Sequence, residues 1–208
     1  EVGKPIGNFF GYIFDGVYNT QDQIDKHAHQ TTDRPGDPIV RDVSGDGKIS
    51  TDDRTILGNY QPDFTYGIGN SFSYANFDLT SNIQGVQGAK IMDLGMRQSL
   101  SMNGRTNNLG LARDRWRSPD QPGNGKVFKA MTDVYGVRRD ASSFYMQDGS
   151  YLRVRNIILG YSFSPSLLNR LRLSTLRLYV SAQNPFTFTN YIGYNPEVSS
   201  YHSALTPG

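Results

Sequence analysis

The chain has 208 residues, enough for one large domain or two small ones, and its net charge of +2 selects no particular partner. It has no cysteine, which excludes disulfides, thiolate metal sites and cysteine nucleophiles. Lys and Arg are dispersed, with no basic block interleaved with aromatics, so nucleic acid is not an expected partner.

No stretch approaches the roughly 18 consecutive apolar residues of a transmembrane helix, and the mean hydropathy is −0.53. A transmembrane barrel hides from such a search, because its lipid-facing and lumen-facing residues alternate. The 13 Tyr and 11 Phe against one Trp, with 22 Gly, suit Tyr-rich girdles and a lumen face of small residues. A soluble β-sandwich has a similar composition. The chain opens on Glu1 without a signal peptide, so it is expected to be an internal or processed piece.

In chain order, the first distinctive segment is 42–53, with the spacing of an EF-hand-like calcium loop. Oxygen side chains stand at its positions 1, 3, 5, 9 and 12, namely Asp42, Ser44, Asp46, Ser50 and Asp53. Gly47 takes the sharply turned sixth position, Lys48 would offer its backbone carbonyl, and Ile49 would tuck inward. Calcium needs about six to eight oxygens, and this set supplies them for a structural ion. Ser44 at the third position and Asp53 in place of Glu depart from the pattern, and the alternative is a polar Asp/Gly turn without metal. His27 and His29, with His202 the only histidines, read as a solvated loop or, less simply, as metal ligands.

The clearest strand is 64–74. Tyr66, Ile68, Phe72 and Tyr74 share one parity, broken by Asn70, opposite Thr65, Gly67, Gly69, Ser71 and Ser73. A tight turn at 75–76 leads to a second strand over 77–88, where Gly85 and Gly88 signal a bulge or a crowded approach. Periodicity is lost over 89–143, too long for a casual connection and expected to be a functional surface loop with some local helix. Within it Arg113, Arg115, Trp116 and Arg117 are candidates for an anionic or sugar ligand, or else a loop packed by an Arg–Asp pair and a Trp anchor. Strands return at 151–163 and 176–188, joined by a short connection over 165–175. Arg153 and Arg155 share the parity of Ile157 and Leu159, which calls for a bulge if they line a lumen. Pro185 likewise demands a bulge, a rim or a strand end.

Short and long connections therefore alternate, as in outer-membrane barrels with short periplasmic turns and long extracellular loops. On that rule 19–58, 89–143 and 191 onward are extracellular. The fold class expected is all-β, a segment of an antiparallel transmembrane barrel. Four strands cannot close such a barrel, and an open edge cannot face lipid, so more chain or more chains are expected. No Ser/His/Asp set, phosphate loop or carboxylate pair has supporting context, and an enzyme is not expected. The competing reading is a secreted, calcium-stabilised β-sandwich that binds carbohydrate.

Several ordered segments carry a resemblance to a known family. They are Pro5-Ile6-Gly7-Asn8-Phe9-Phe10-Gly11-Tyr12 with Asp15-Gly16-Val17-Tyr18, and Pro35-Gly36-Asp37 running through the 42–53 loop to Asp53-Arg54 and Ile56-Leu57-Gly58. Pro62-Asp63-Phe64-Thr65-Tyr66-Gly67, Asp148-Gly149-Ser150-Tyr151-Leu152-Arg153 and Leu178-Tyr179-Val180-Ser181-Ala182-Gln183-Asn184-Pro185-Phe186-Thr187 follow. Together they resemble the C-terminal part of a SusC/RagA-type TonB-linked outer-membrane protein of Bacteroidetes, over nearly the whole chain, 1–208. The resemblance implies a fragment of a plugged barrel of about 22 strands. It implies active nutrient import through the outer membrane, of glycan, oligosaccharide or peptide. The implied partners are a SusD-like surface lipoprotein, the TonB–ExbB–ExbD complex acting through an N-terminal region, and outer-membrane lipid. The plug, the TonB box and the family's final strand are not found in these residues.

Overall fold

The computed structural model describes residues 3–100, 102, 107–130 and 142–197. Parts of the 89–143 loop, the stretch beyond 197 and His202 lie outside the described residues. In chain order the elements are β1 (Asn8–Gly11), β2 (Phe14–Val17), α1 (Gln21–Asp25), β3 (Pro38–Val40), β4 (Thr55–Asn59), β5 (Phe64–Tyr74) and β6 (Phe77–Gln87). There follow β7 (Lys90–Met92), α2 (Leu94–Ser99), β8 (Met146–Asp148), β9 (Tyr151–Ser162), α3 (Pro165–Leu171) and β10 (Arg177–Thr189). Among the described residues no helix is long and apolar enough to cross a membrane. The chain divides into two compact units, one of residues 61–89 and 148–192, the other of 1–60, 90–147 and 193 onward.

The first unit is a four-stranded antiparallel sheet in the order β10-β9-β6-β5. Its strands run 11 to 13 residues, about twice the usual length in globular domains. Ala75 closes the β5–β6 hairpin with φ +52°, a left-handed conformation that a tight two-residue turn requires. The other short connection contains α3. Pro165 begins it, where a missing N–H costs nothing, and Arg172 ends it at φ +54°.

Gly85 and Gly88 mark crowded approaches. A Cβ on Gly85 would enter the Tyr66 ring, and one on Gly88, at φ +86°, would meet the Asp63 carboxylate. Bulges sit on the other two strands. Asn156 faces Asn82 while Val154 faces Ile83, so Arg155 is an extra residue in β9. On β10 the register breaks between Gln183 and Phe186, where Pro185 cannot donate to the ladder and Asn184 turns to φ +48°.

The second unit is built differently. Its strands are three to five residues long and pair two by two, β1 with β4, β2 with β3 and β7 with β8. Such short strands carry too few residues for a period-2 signal, so β1 to β4 and β7 to β8 are invisible to patterning. What holds the unit is burial. Met96, Leu100, Ala112, Phe128 and Tyr145 form one apolar core, supported by Val17, Met92 and Phe144. Tyr12, Val40 and Ile49 form a second. Segments expected as two separate loops, 19–58 and 89–143, thus contribute to one folded unit. The Phe144 ring joins Phe14, Phe128 and Tyr145 at centroid separations of 5.0 Å each.

Candidate functional site

The sheet has two chemically distinct faces. Register places Tyr66, Ile68 and Phe72 of β5 beside Gly85, Ile83 and Leu79 of β6. Leu79 then faces Leu159, which faces Val180. Beyond the bulges the same face continues through Leu152, Val154, Phe186 and Phe188. Most of these side chains are exposed, Phe72 by 63% and Val180 by 75%, while Ile83, Leu152 and Val154 are half-buried. A β-sandwich would bury such a face against a second sheet, so this geometry speaks against the carbohydrate-binding sandwich. The 11 residues of β5, at about 3.4 Å each and tilted by about 40°, span roughly 25–30 Å, the height of a bilayer's apolar band.

The opposite face is polar and cross-linked. Asn82 Nδ2 donates to Asn156 Oδ1 at 3.0 Å. Arg155 Nε donates to Gln84 Oε1 at 2.8 Å, and Arg153 Nε to Thr187 Oγ1 at 2.9 Å. Near the short-turn end Arg177 grips Asp78 with two donors, Nε to Oδ1 at 3.1 Å. A Cβ at Gly160 would run into this pair, so glycine is what lets it lie flat on the strand. The bulge at Arg155 puts Arg153 in register with Gln84 and Thr187. Strand parity alone would have sent both arginines to the apolar side. One sheet thus carries an apolar surface on one side and a fixed array of donors and acceptors on the other.

The 42–53 loop is fully described. Asp42 Oδ1 accepts from the Gly45 amide at 2.6 Å and the Ser44 hydroxyl at 3.2 Å, while its Oδ2 accepts from the Gly47 amide at 2.8 Å. Asp46 accepts from the Lys48 amide at 2.8 Å. Asp53 is 0% exposed and accepts from the amides of Val43, Ser44 and Ser50 at 3.0, 3.1 and 2.7 Å. Burial pushes the Asp53 carboxyl up, but these amides, with help from the Ser44 side chain, outweigh it and hold it below the usual carboxylate range. Ser50 and Asp53 form a reciprocal capping box on the turn at Thr51–Asp53. Asp42, Asp46 and Asp53 therefore serve the loop's own amides rather than one common point. Among the described residues no three His, Asp or Glu side chains form a metal-holding group.

His27 and His29 point their Nδ1 atoms at the Gln23 and His27 carbonyls, 2.7 and 2.8 Å away. In the 113–117 segment Trp116 is a packing anchor. Its Nε1 donates to Asn19 Oδ1 at 2.9 Å, and its ring covers Gly36 so closely that a Cβ there would overlap it. Lys129 closes the same corner, pairing with the fully buried Asp37 at 3.2 Å and donating to the Pro35 carbonyl at 3.1 Å. Arg115 and Arg117 donate to the nearby Ala112 and Arg113 carbonyls, at 3.3 and 2.8 Å. Arg113 and Arg117 are exposed. Patterning missed Asn19, 97 residues before the tryptophan, and Lys129, which reaches Pro35 across 94 residues.

Burial also marks two phenols of this unit. Tyr18 is pushed up to about 12 by burial and then by the neighbouring Asp33 charge, while its hydroxyl donates to the Ala28 carbonyl at 3.1 Å. Tyr145 is pushed up to about 12 by burial, against a small opposing effect of Arg97.

No family model matches the chain. It is 36% identical over 198 residues to the TonB-dependent receptor P3 of Formosa agariphila, covering 95% of this chain and 19% of that receptor. It is 34% identical over 212 residues to the TonB-dependent receptor P39 of the same organism, covering 97% and 20%. It is 26% identical to the TonB-dependent receptor SusC of Bacteroides thetaiotaomicron, covering 91% and 18%. Among solved structures, the RagAB peptide transporter superposes with a TM-score of 0.70 at 20% identity over 91% of this chain, and the RagAB peptide importer in its open-open state with 0.67 over 95%. Each alignment spans 20% of the solved chain, a likeness of fold. Over nearly its whole length the chain is thus similar in sequence to a stretch of TonB-dependent receptors, and it spans about a fifth of such a receptor's length.

Proposed function

We propose that this chain forms part of the wall and extracellular loops of an outer-membrane importer of nutrients, not of an enzyme. The observation that carries the reading is the two-faced sheet: an uncovered apolar face one bilayer tall, backed by a polar hydrogen-bonded face. A β-strand wall with lipid on one side and an aqueous lumen on the other needs both. The kinship with TonB-dependent receptors supports the same role. In this proposal the receptor works with a SusD-like surface lipoprotein, is energised by TonB–ExbB–ExbD and takes up glycan, oligosaccharide or peptide. The unit holding 19–58 and 90–130 is the extracellular part, and Arg113 and Arg117 are its candidate contacts with substrate or lipoprotein.

In the same proposal the 42–53 loop is held by its own amides. A calcium ion there would be structural and would use the lone pair that Asp53 Oδ2 keeps beside its one amide bond. Calorimetric titration tests this: no binding heat supports the amide-held loop, and stoichiometric calcium uptake restores the ion.

The importer reading is tested by fractionating cells and detecting peptides from β6 and β9. The expected polypeptide is several times heavier than the 23.2 kDa of this sequence and cofractionates with outer-membrane markers. A soluble species near that mass would overturn it.

A further inference from the structure

The connection between β9 and β10 is more than a turn. With about 100° per residue, Leu167 and Leu171 lie on one stripe of α3, between the buried Leu168 on one side and Arg170 on the other. Leu167 and Leu171 are exposed, as is Leu173 just past the helix end. Arg170 and Arg172 are exposed too, and among the described residues neither guanidinium has a hydrogen bond or ion pair. No Asp or Glu occurs between residues 149 and 196, and Asp78, at this end of the sheet, is held by Arg177.

The helix is anchored at the end of the sheet's apolar face. The chain enters and leaves α3 through Phe163 and Leu176, which share the parity of Tyr161 and Leu178 on that face, and the Phe163 amide bonds the Leu176 carbonyl at 3.0 Å. An aromatic rim stands there, with Tyr161 ring centroids 4.7 Å from Phe77 and 5.0 Å from Phe163. Aromatic rims of this kind sit at the headgroup level. A short helix just beyond one, with leucines on one stripe and unpaired arginines beside it, has the chemistry of an interfacial anchor.

We infer that α3 lies in the headgroup layer at the short-turn end of the barrel, with Leu167, Leu171 and Leu173 in the acyl boundary and Arg170 and Arg172 on anionic phospholipid phosphates. This rests on the barrel reading above, and the following experiment separates the two.

The full-length receptor is placed in nanodiscs, with single-cysteine variants at 171, 169 and 180 labelled with a bimane fluorophore. Brominated phosphatidylcholine and aqueous iodide serve as quenchers. Brominated lipid is expected to quench the labels at 180 and 171 strongly and the label at 169 weakly. Strong quenching at 180 with none at 171 overturns the anchor alone. No lipid quenching at 180 overturns the barrel wall and the anchor with it.

Lipid capture then tests the charges. Arg170→Gln and Arg172→Gln are expected to weaken retention of phosphatidylglycerol by about fivefold each, with phosphatidylcholine retention unchanged. Equal loss of both lipids, or no loss, overturns the phosphate contacts.

Discussion

The two units place the same kinds of side chain on opposite sides. In the unit of 1–60 and 90–147, Leu100, Phe128 and Tyr145 are buried against one another, and water surrounds what remains. In the four-stranded sheet, Phe72, Val180 and Phe188 face outward and the hydrogen-bonded polar groups line the other side. The first arrangement draws its stability from removing apolar surface from water. The second pairs its strands in one ladder and leaves its apolar side chains exposed, as the proposed barrel wall requires. Apolar content alone cannot tell these solutions apart. What distinguishes them is where the polar partners are, within a loop's own turns or across neighbouring strands.

The comparison is sharpest where a single substitution should damage one unit and spare the other. Leu100→Ala, at a site with 0% exposure, is expected to cost about 2–5 kcal/mol in detergent and bilayer alike. Proteolysis and hydrogen exchange should report the loss in 90–130 and leave β5 and β6 protected. Simultaneous loss in the sheet would mean that the units unfold as one.

Ile68→Arg, at the middle of β5, is expected to cost about 2–4 kcal/mol in a bilayer, while Ser71→Arg on the polar face costs little. Unfolding titrations in liposomes compare the two. Equal effects would dissolve the distinction between the faces.

Asp53→Ala leaves three loop amides without their acceptor, at about 1–3 kcal/mol. Here pH gives a second handle. The folded carboxyl sits below its unfolded value, so its contribution is present above the unfolded carboxylate range and is lost as pH falls through the folded value. Acid should therefore loosen peptides covering 42–53 in the parent protein, with a smaller acid response in Asp53→Ala.

At the alkaline end the sign reverses. Tyr18 and Tyr145 keep their protons to about 12 when folded, against 10 when unfolded. Their contribution is full below pH 10 and disappears as pH rises towards about 12. Tyrosinate absorbance and hydrogen exchange should then change together in this unit. The smallest effect expected is at the exposed Asp78–Arg177 pair, where Asp78→Asn should change stability little and lose even that in high salt.

Much of the sheet was legible because period-2 alternation persists over 11 or more residues. The expected bounds 64–74 and 77–88 lie within a residue of β5 and β6. A proline inside an otherwise regular strand pointed to the break on β10, and two arginines on the wrong parity pointed to the one on β9. In the 42–53 segment, side chains spaced for calcium are equally well spaced to cap a turn, and three amides bond Asp53. In 113–117, Trp116 bonds Asn19 and packs on Gly36, contacts that no spacing records.

By itself the sequence determined the long strands, their pairing through short turns and the chemical identity of each face, because alternation and turn residues are local properties of the chain. Tertiary structure alone decided that segments 19–58 and 90–130 belong to one compact unit, that Trp116 packs on Gly36 and that Asp53 is buried among amides. Those outcomes depend on contacts between residues far apart in sequence, or on which of several nearby donors reaches a carboxylate first. No periodicity records either.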